Sequence, residues 1–129
     1  MAKPDQNLAL LCATVGLAHQ MRGNVRESIT WNERAIESFK GVFDQVAKPK
    51  GLLAKFAASQ SSQWIGPLRM HLAAVYLHNA NAYFSTMNYR QAKENYKRAV
   101  DCANQAPDTA EKKEILQVAR EQLARLKHA

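Results

Sequence analysis

What most constrains this chain is that one stretch of its sequence occurs twice. Placing Leu8 on Leu72 carries Ala9 onto Ala73, Ala18 onto Ala82, Asn24 onto Asn88, Arg26 onto Arg90, Arg34 onto Arg98 and Ala35 onto Ala99 without a gap. Asn falls at the same point in both copies, between two runs with helical apolar spacing. Each copy therefore reads as a helix, a turn of about two residues and a second helix. Such an antiparallel hairpin cannot bury its apolar face alone, so the copies must stack on something.

Helix punctuation extends this reading along the chain. Asn24 is followed three residues on by Glu27, Asn88 by Gln91 and Asp108 by Glu111, the spacing at which a cap and a reciprocal acceptor close a helix start. Pro4 and Pro67 stand where a first helical residue tolerates a missing N–H, and Lys48, Pro49 and Lys50 interrupt the pattern before Gly51. The predicted helices cover about 4–22, 24–47, 51–64, 67–87, 89–105 and 109–127, an all-α chain of about six helices. Ile36, Phe39, Phe43 and Val46 form one core stripe, and Leu116, Ala119, Leu123 and Leu126 another. The length of 24–47 predicts overhang or a kink, with Gly41 the place for it. The chain divides into hairpin 4–47, inserted helix 51–64, hairpin 67–105 and capping helix 109–127.

A chain of 129 residues buries enough surface for one core without staples. Cys12 and Cys102 lack metal or redox spacing and read as reduced core residues. No run reaches the length of a membrane span, and the apolar run from Leu8 to Leu17 lacks the flanks of a signal sequence. These features predict a soluble cytoplasmic protein. The net charge of +7 comes from the middle: no acidic residue lies between Asp44 and Glu94, while Lys48, Lys50, Lys55, Arg69, Arg90 and Lys93 do. Such a field favours an acidic partner.

The second copy resembles the tetratricopeptide repeat: Tyr76, Ala80, Tyr83, Ala92, Tyr96 and Ala99 follow that family's alternation of aromatic and small residues. Asn79 replaces its leucine, and its closing proline is absent at its position, with Pro107 arriving three residues late. In the first copy Gly16, His19, Ser28 and Ala35 fit, while Cys12 and Asn32 replace aromatics. The offset of 64 residues, against the family's 34, leaves room for the inserted helix. Residues 71–127 also resemble the three-helix microtubule-interacting-and-trafficking domain, through Tyr89, Ala92, Tyr96 and Ala99 and through Arg120, Leu123 and Leu126. That family binds amphipathic helices, but the likeness leaves the first sixty residues unexplained.

The chemistry expected is recognition rather than catalysis. No GxSxG, glycine-rich phosphate loop, HExxH or DxDxDG occurs, and no cofactor is implied. His71 and His78 share a helix face without a local carboxylate to complete a metal site. Arg90, Lys93, Lys97 and Arg98 form a basic helix face, yet no nucleic-acid signature accompanies them, so specific nucleic-acid binding is not expected. Trp31 and Trp64, the latter after the polar run Gln60, Ser61, Ser62 and Gln63, are candidate anchors, although packing on a neighbouring helix is the favoured expectation for each.

The tetratricopeptide resemblance implies a concave surface built from the first helix of each hairpin. Leu10, Ala13, Leu17, Gln20 and Met21 would come from one copy, and Ala74, Leu77, His78, Asn81, Phe84 and Ser85 from the other. Such a groove suits an apolar peptide or amphipathic helix, with Met21 and Phe84 as anchors. Leu10, Thr14, Ala74 and His78 stand where that family's chaperone-binding members carry a carboxylate clamp, so an acidic C-terminus is not the expected ligand. The expectation is an adaptor for a protein partner; its rival is a structural subunit that self-associates, since two hairpins are fewer than a stable array requires.

Overall fold

The computed structural model describes residues 6–47 and 62–127. They form α1 (Gln6–Met21), α2 (Val25–Ala47), α3 (Ser62–Ser85), α4 (Tyr89–Asn104) and α5 (Ala110–Leu126). The fold is all-α, and there is no strand among the described residues. Both predicted hairpins are present: α1 packs antiparallel on α2, and α3 on α4. The hairpins join where α2 lies along α3, and α5 covers α4 and the edge of α3.

The two turns show how closely the copies match. Gly23 takes a left-handed φ of 79°, and its counterpart Met87 takes φ 62°. In the first turn the Asn24 N–H donates to the His19 carbonyl at 2.8 Å; in the second the Asn88 N–H donates to the Tyr83 carbonyl at 2.9 Å. These bonds close each first helix and reverse the chain. Glycine adopts this conformation freely, whereas a residue with a Cβ loses roughly 1–2 kcal/mol there. Met87→Gly is therefore expected to raise stability by about 0.5–1 kcal/mol after the added entropy of the unfolded chain, measurable as a higher denaturation midpoint.

Two predicted helix starts move and one predicted cap is not made. Pro67 does not open a helix but lies inside α3, which begins at Ser62. Proline's ring normally clashes with the Cβ of the residue before it; here that residue is Gly66, which has none. Ser62, Gln63 and Trp64, assigned to the inserted helix 51–64, thus belong to α3; residues 51–61 lie outside the described residues. Asn88 precedes α4 but its side chain makes no capping bond, because its ψ of 73° departs from the extended backbone that aims a cap at the helix. At α5 the cap falls one residue later than predicted: Thr109 is extended and its hydroxyl accepts from the Lys112 N–H at 3.1 Å. Asp108 instead pairs with the Lys112 ammonium at 3.0 Å. Gly41 interrupts nothing, for α2 runs on to Ala47.

Small residues carry the helix crossings. Ala35, Ala80, Ala92, Ala99 and Ala103 are buried, and Phe39 and Tyr96 are the largest side chains fully enclosed. Gly16 is required where α1 crosses α2, because a Cβ there would run into the carboxamide oxygen of Asn32. The α2–α3 seam includes the Arg69 guanidinium 5.1 Å from the centre of the Phe43 ring and a hydrogen bond from the Tyr83 hydroxyl to Glu33. Ile115, Ala119 and Leu126 seat α5 on the stack. At the α4–α5 turn Pro107 lies so close to Gly66 that a Cβ there would stand 2.7 Å from the proline Cγ. Arg69 holds the same turn through Gln105 at 2.6 Å.

Candidate partner-binding face

From Gln6 to Met21, α1 contains no Asp, Glu, Lys or Arg. It packs broadly on α2 but only along an edge of α3, so much of its surface faces outward. Leu8, Leu11, Leu17 and Met21 are 40%, 60%, 38% and 81% exposed. Exposed leucines without neighbouring charge on a packed helix form an apolar surface larger than folding needs.

This surface borders a cleft of about 210 Å³ between α1 and α3. Leu10, Ala13, Thr14 and Leu17 line one wall, His71, Ala74, Val75 and His78 the other, and Asn32 of α2 also borders it. Five expected groove residues therefore meet: Leu10, Ala13, Leu17, Ala74 and His78. Burial pushes the His78 imidazole below its ordinary pKa, so it is neutral at physiological pH and has one ring nitrogen free to accept.

The remaining expected groove residues divert elsewhere. Leu77 is enclosed in the core. Asn81 accepts a hydrogen bond from the Tyr96 hydroxyl, and Ser85 donates to the Ala82 carbonyl at 2.8 Å. Phe84, read as an anchor, makes an edge-to-face contact with Tyr89 at 5.5 Å and packs on the core. The α3–α4 hairpin claims it because Tyr89 opens α4 directly beyond the turn. Gln20 and Met21 lie at the end of α1 beyond the cleft lining; Gln20 is half-buried and Met21 exposed.

Asn32 is the residue that sequence reasoning placed but did not use. It is the counterpart of Tyr96, which fills the equivalent position in the second hairpin and is fully enclosed. The smaller carboxamide is itself enclosed, bonded to Ser28 at 3.3 Å and packed against Gly16, and the α1/α3 cleft opens at its border. The sequence signal was the missing aromatic itself.

A second, polar cleft of about 430 Å³ opens between α2, α3 and α4, lined among others by Glu33, Glu37, Lys40, Tyr83, Gln91 and Arg98. At its border Asn79 donates to Asn95 Oδ1 at 3.3 Å, and Asn95 donates to the Gln91 carbonyl at 2.8 Å. The Asn79 carboxamide oxygen is buried without a partner. Arg98 is already paired with Glu94 at 3.3 Å.

Burial, with the Glu33 bond adding to it, pushes the Tyr83 phenol up to about 12. Burial alone pushes Tyr96 up to about 12. An unfolded phenol ionises near 10, so the stabilisation these groups give is complete below about pH 10 and is lost as pH rises towards 12. Alkaline denaturation is expected in that window, and Tyr96→Phe and Tyr83→Phe should each flatten it. An alkaline stability profile identical in the variants would contradict the assignment.

Among the other singled-out residues, Arg90, Lys93 and Lys97 are exposed on α4 and join no ion pair among the described residues. Trp31 is half-buried, with the Arg34 guanidinium 4.9 Å from its ring centre; the Trp64 side chain lies outside the described residues. Cys12 is buried, Cys102 half-buried, and both are free thiols. No group of three or more metal-ligating side chains gathers among the described residues, and no described helix is long and apolar enough to cross a membrane. No protein-family model, curated protein or solved structure matches the chain.

Proposed function

We propose that the chain is a non-enzymatic interaction module, a tetratricopeptide-like pair of hairpins whose α1/α3 face receives an apolar or amphipathic segment of a protein partner in the cytoplasm. The observation that carries this reading is the charge-free, outward-facing α1 continuous with a cleft. The core supports the hairpin-stack reading over a free-standing three-helix unit spanning 71–127, because α2 packs along α3 through Phe43, Glu33 and buried apolar side chains.

Self-association is the second reading, and area weighs against it. A 16-residue helix is about 24 Å long and roughly 10 Å wide, so α1 alone offers on the order of 240 Å². A standard interface buries about 800 Å² on each partner. A single helix lying across α1 and the cleft has a smaller requirement than a folded second copy.

Panning a displayed library of helical peptides on the protein tests the proposal. Selected sequences are expected to be amphipathic and to lose at least tenfold in affinity, about 1.4 kcal/mol, on Leu11→Asp, because a carboxylate would be desolvated at the centre of the contact. Ligands that ignore Leu11→Asp, weaken with the paired change Arg90→Glu and Lys93→Glu and dissociate in moderate salt would establish polyanion binding instead. Light scattering of the pure protein reads out the self-association alternative directly.

A further inference from the structure

We propose that the cleft between α1 and α3 receives one tyrosine side chain of the docking segment. This deepens the docking reading above and rests on it.

The chain supplies its own template for the occupant. In the second hairpin the residue after Asn95 is Tyr96, enclosed and with its hydroxyl bonded to Asn81. In the first hairpin the same position is Asn32, itself 1% exposed, and the cleft between α1 and α3 opens at its border. The flanking positions are equally small in both copies, with Gly16 for Ala80 and Ser28 for Ala92. What the first copy lacks is the ring.

Size agrees. A cavity of about 150 Å³ suffices to hold a benzene ring, and this cleft has about 210 Å³. The walls are mostly apolar, from Leu10, Ala13, Leu17, Ala74 and Val75, as a ring requires. Polar groups are few: the Asn32 carboxamide, the two imidazoles and Thr14, whose hydroxyl is already committed to the Leu10 carbonyl at 2.9 Å. An aromatic ring with one hydrogen-bonding tip matches that set, and the neutral His78 ring or Asn32 can take its proton. Phenylalanine and leucine alike would leave the polar groups of the cleft without a new partner.

The probes are N-acetyl-tyrosine amide, N-acetyl-phenylalanine amide and N-acetyl-leucine amide, titrated into methyl-labelled full chain and followed by NMR at Leu10, Leu17, Val75, Ala13 and Ala74. The tyrosine probe is expected to saturate with shifts confined to these methyls, and to bind at least fivefold tighter than the leucine probe. Asn32→Tyr, which fills the cleft from inside, should weaken it at least tenfold. Ala74→Leu, which narrows the cleft from α3, should do the same should the first variant fold poorly. Leucine binding as tightly as tyrosine would overturn the tyrosine assignment and leave docking intact. Tyrosine binding that survives both variants, or no shift with any probe, would likewise overturn it, while peptides sensitive to Leu11→Asp would still sustain the docking reading.

Discussion

Tyr96→Asn is expected to destabilise the chain by about 3–5 kcal/mol, the range for removing a fully enclosed aromatic. Tyr96 is 1% exposed, and its hydroxyl satisfies Asn81. The substitution removes the ring between α3 and α4 and leaves the Asn81 oxygen to find water. It also makes the second copy resemble the first, where Asn32 already stands. The loss should appear as a lower midpoint of urea unfolding with the slope preserved. A cost below about 1 kcal/mol would mean that neighbouring helices collapse into the space, and that the space beside Asn32 has another origin.

Phe39→Ala carries the other large effect, also about 3–5 kcal/mol. Phe39 is wholly enclosed on α2, which among the described helices is the one that packs broadly against both α1 and α3. A cavity there weakens the first hairpin and its junction with the second together. Unfolding monitored by the two tryptophans is therefore expected to stay a single transition at reduced stability. Two separated transitions would show that the hairpins melt independently and that Phe39 serves only one of them.

Much of this arrangement was readable in the residues. The duplicated pattern located both hairpins because turn asparagines and small crossing residues recur at fixed spacing, and Ile36, Phe39, Ala119 and Leu126 are buried as their periodicity required. Ala92, read as a crossing residue, is fully enclosed. Pro67 misled because proline usually marks a first turn, whereas here it lies inside α3, after a Gly66 that has no Cβ to meet its ring. Phe84 misled for another reason. Helical spacing places it on the same helix as the cleft residues, but whether a ring turns to solvent or to the next helix depends on what lies across the turn, here Tyr89.

The polar cleft was half legible. Asn79 stood out as a departure from a leucine position, and the structure gives it a buried, unpartnered oxygen. Nothing in the spacing indicated that Asn95, a residue of the facing helix, would take its amide. Pairings of this sort depend on helix register across an interface, which a single sequence fixes only through packing of the whole stack.

The edge position of α1 sets the energetics of recognition. Held by α2 and by little of α3, it is a terminal helix of the stack, whose local opening exposes less of the core than opening α2 would. Any partner resting on it binds only the fraction of molecules in which α1 is docked, and its apparent affinity scales with that fraction. Bound partner then acts as a missing neighbour, closing the end of the stack and transmitting its binding energy into α2. Occupancy and folding of the first hairpin are in this way two readings of one equilibrium.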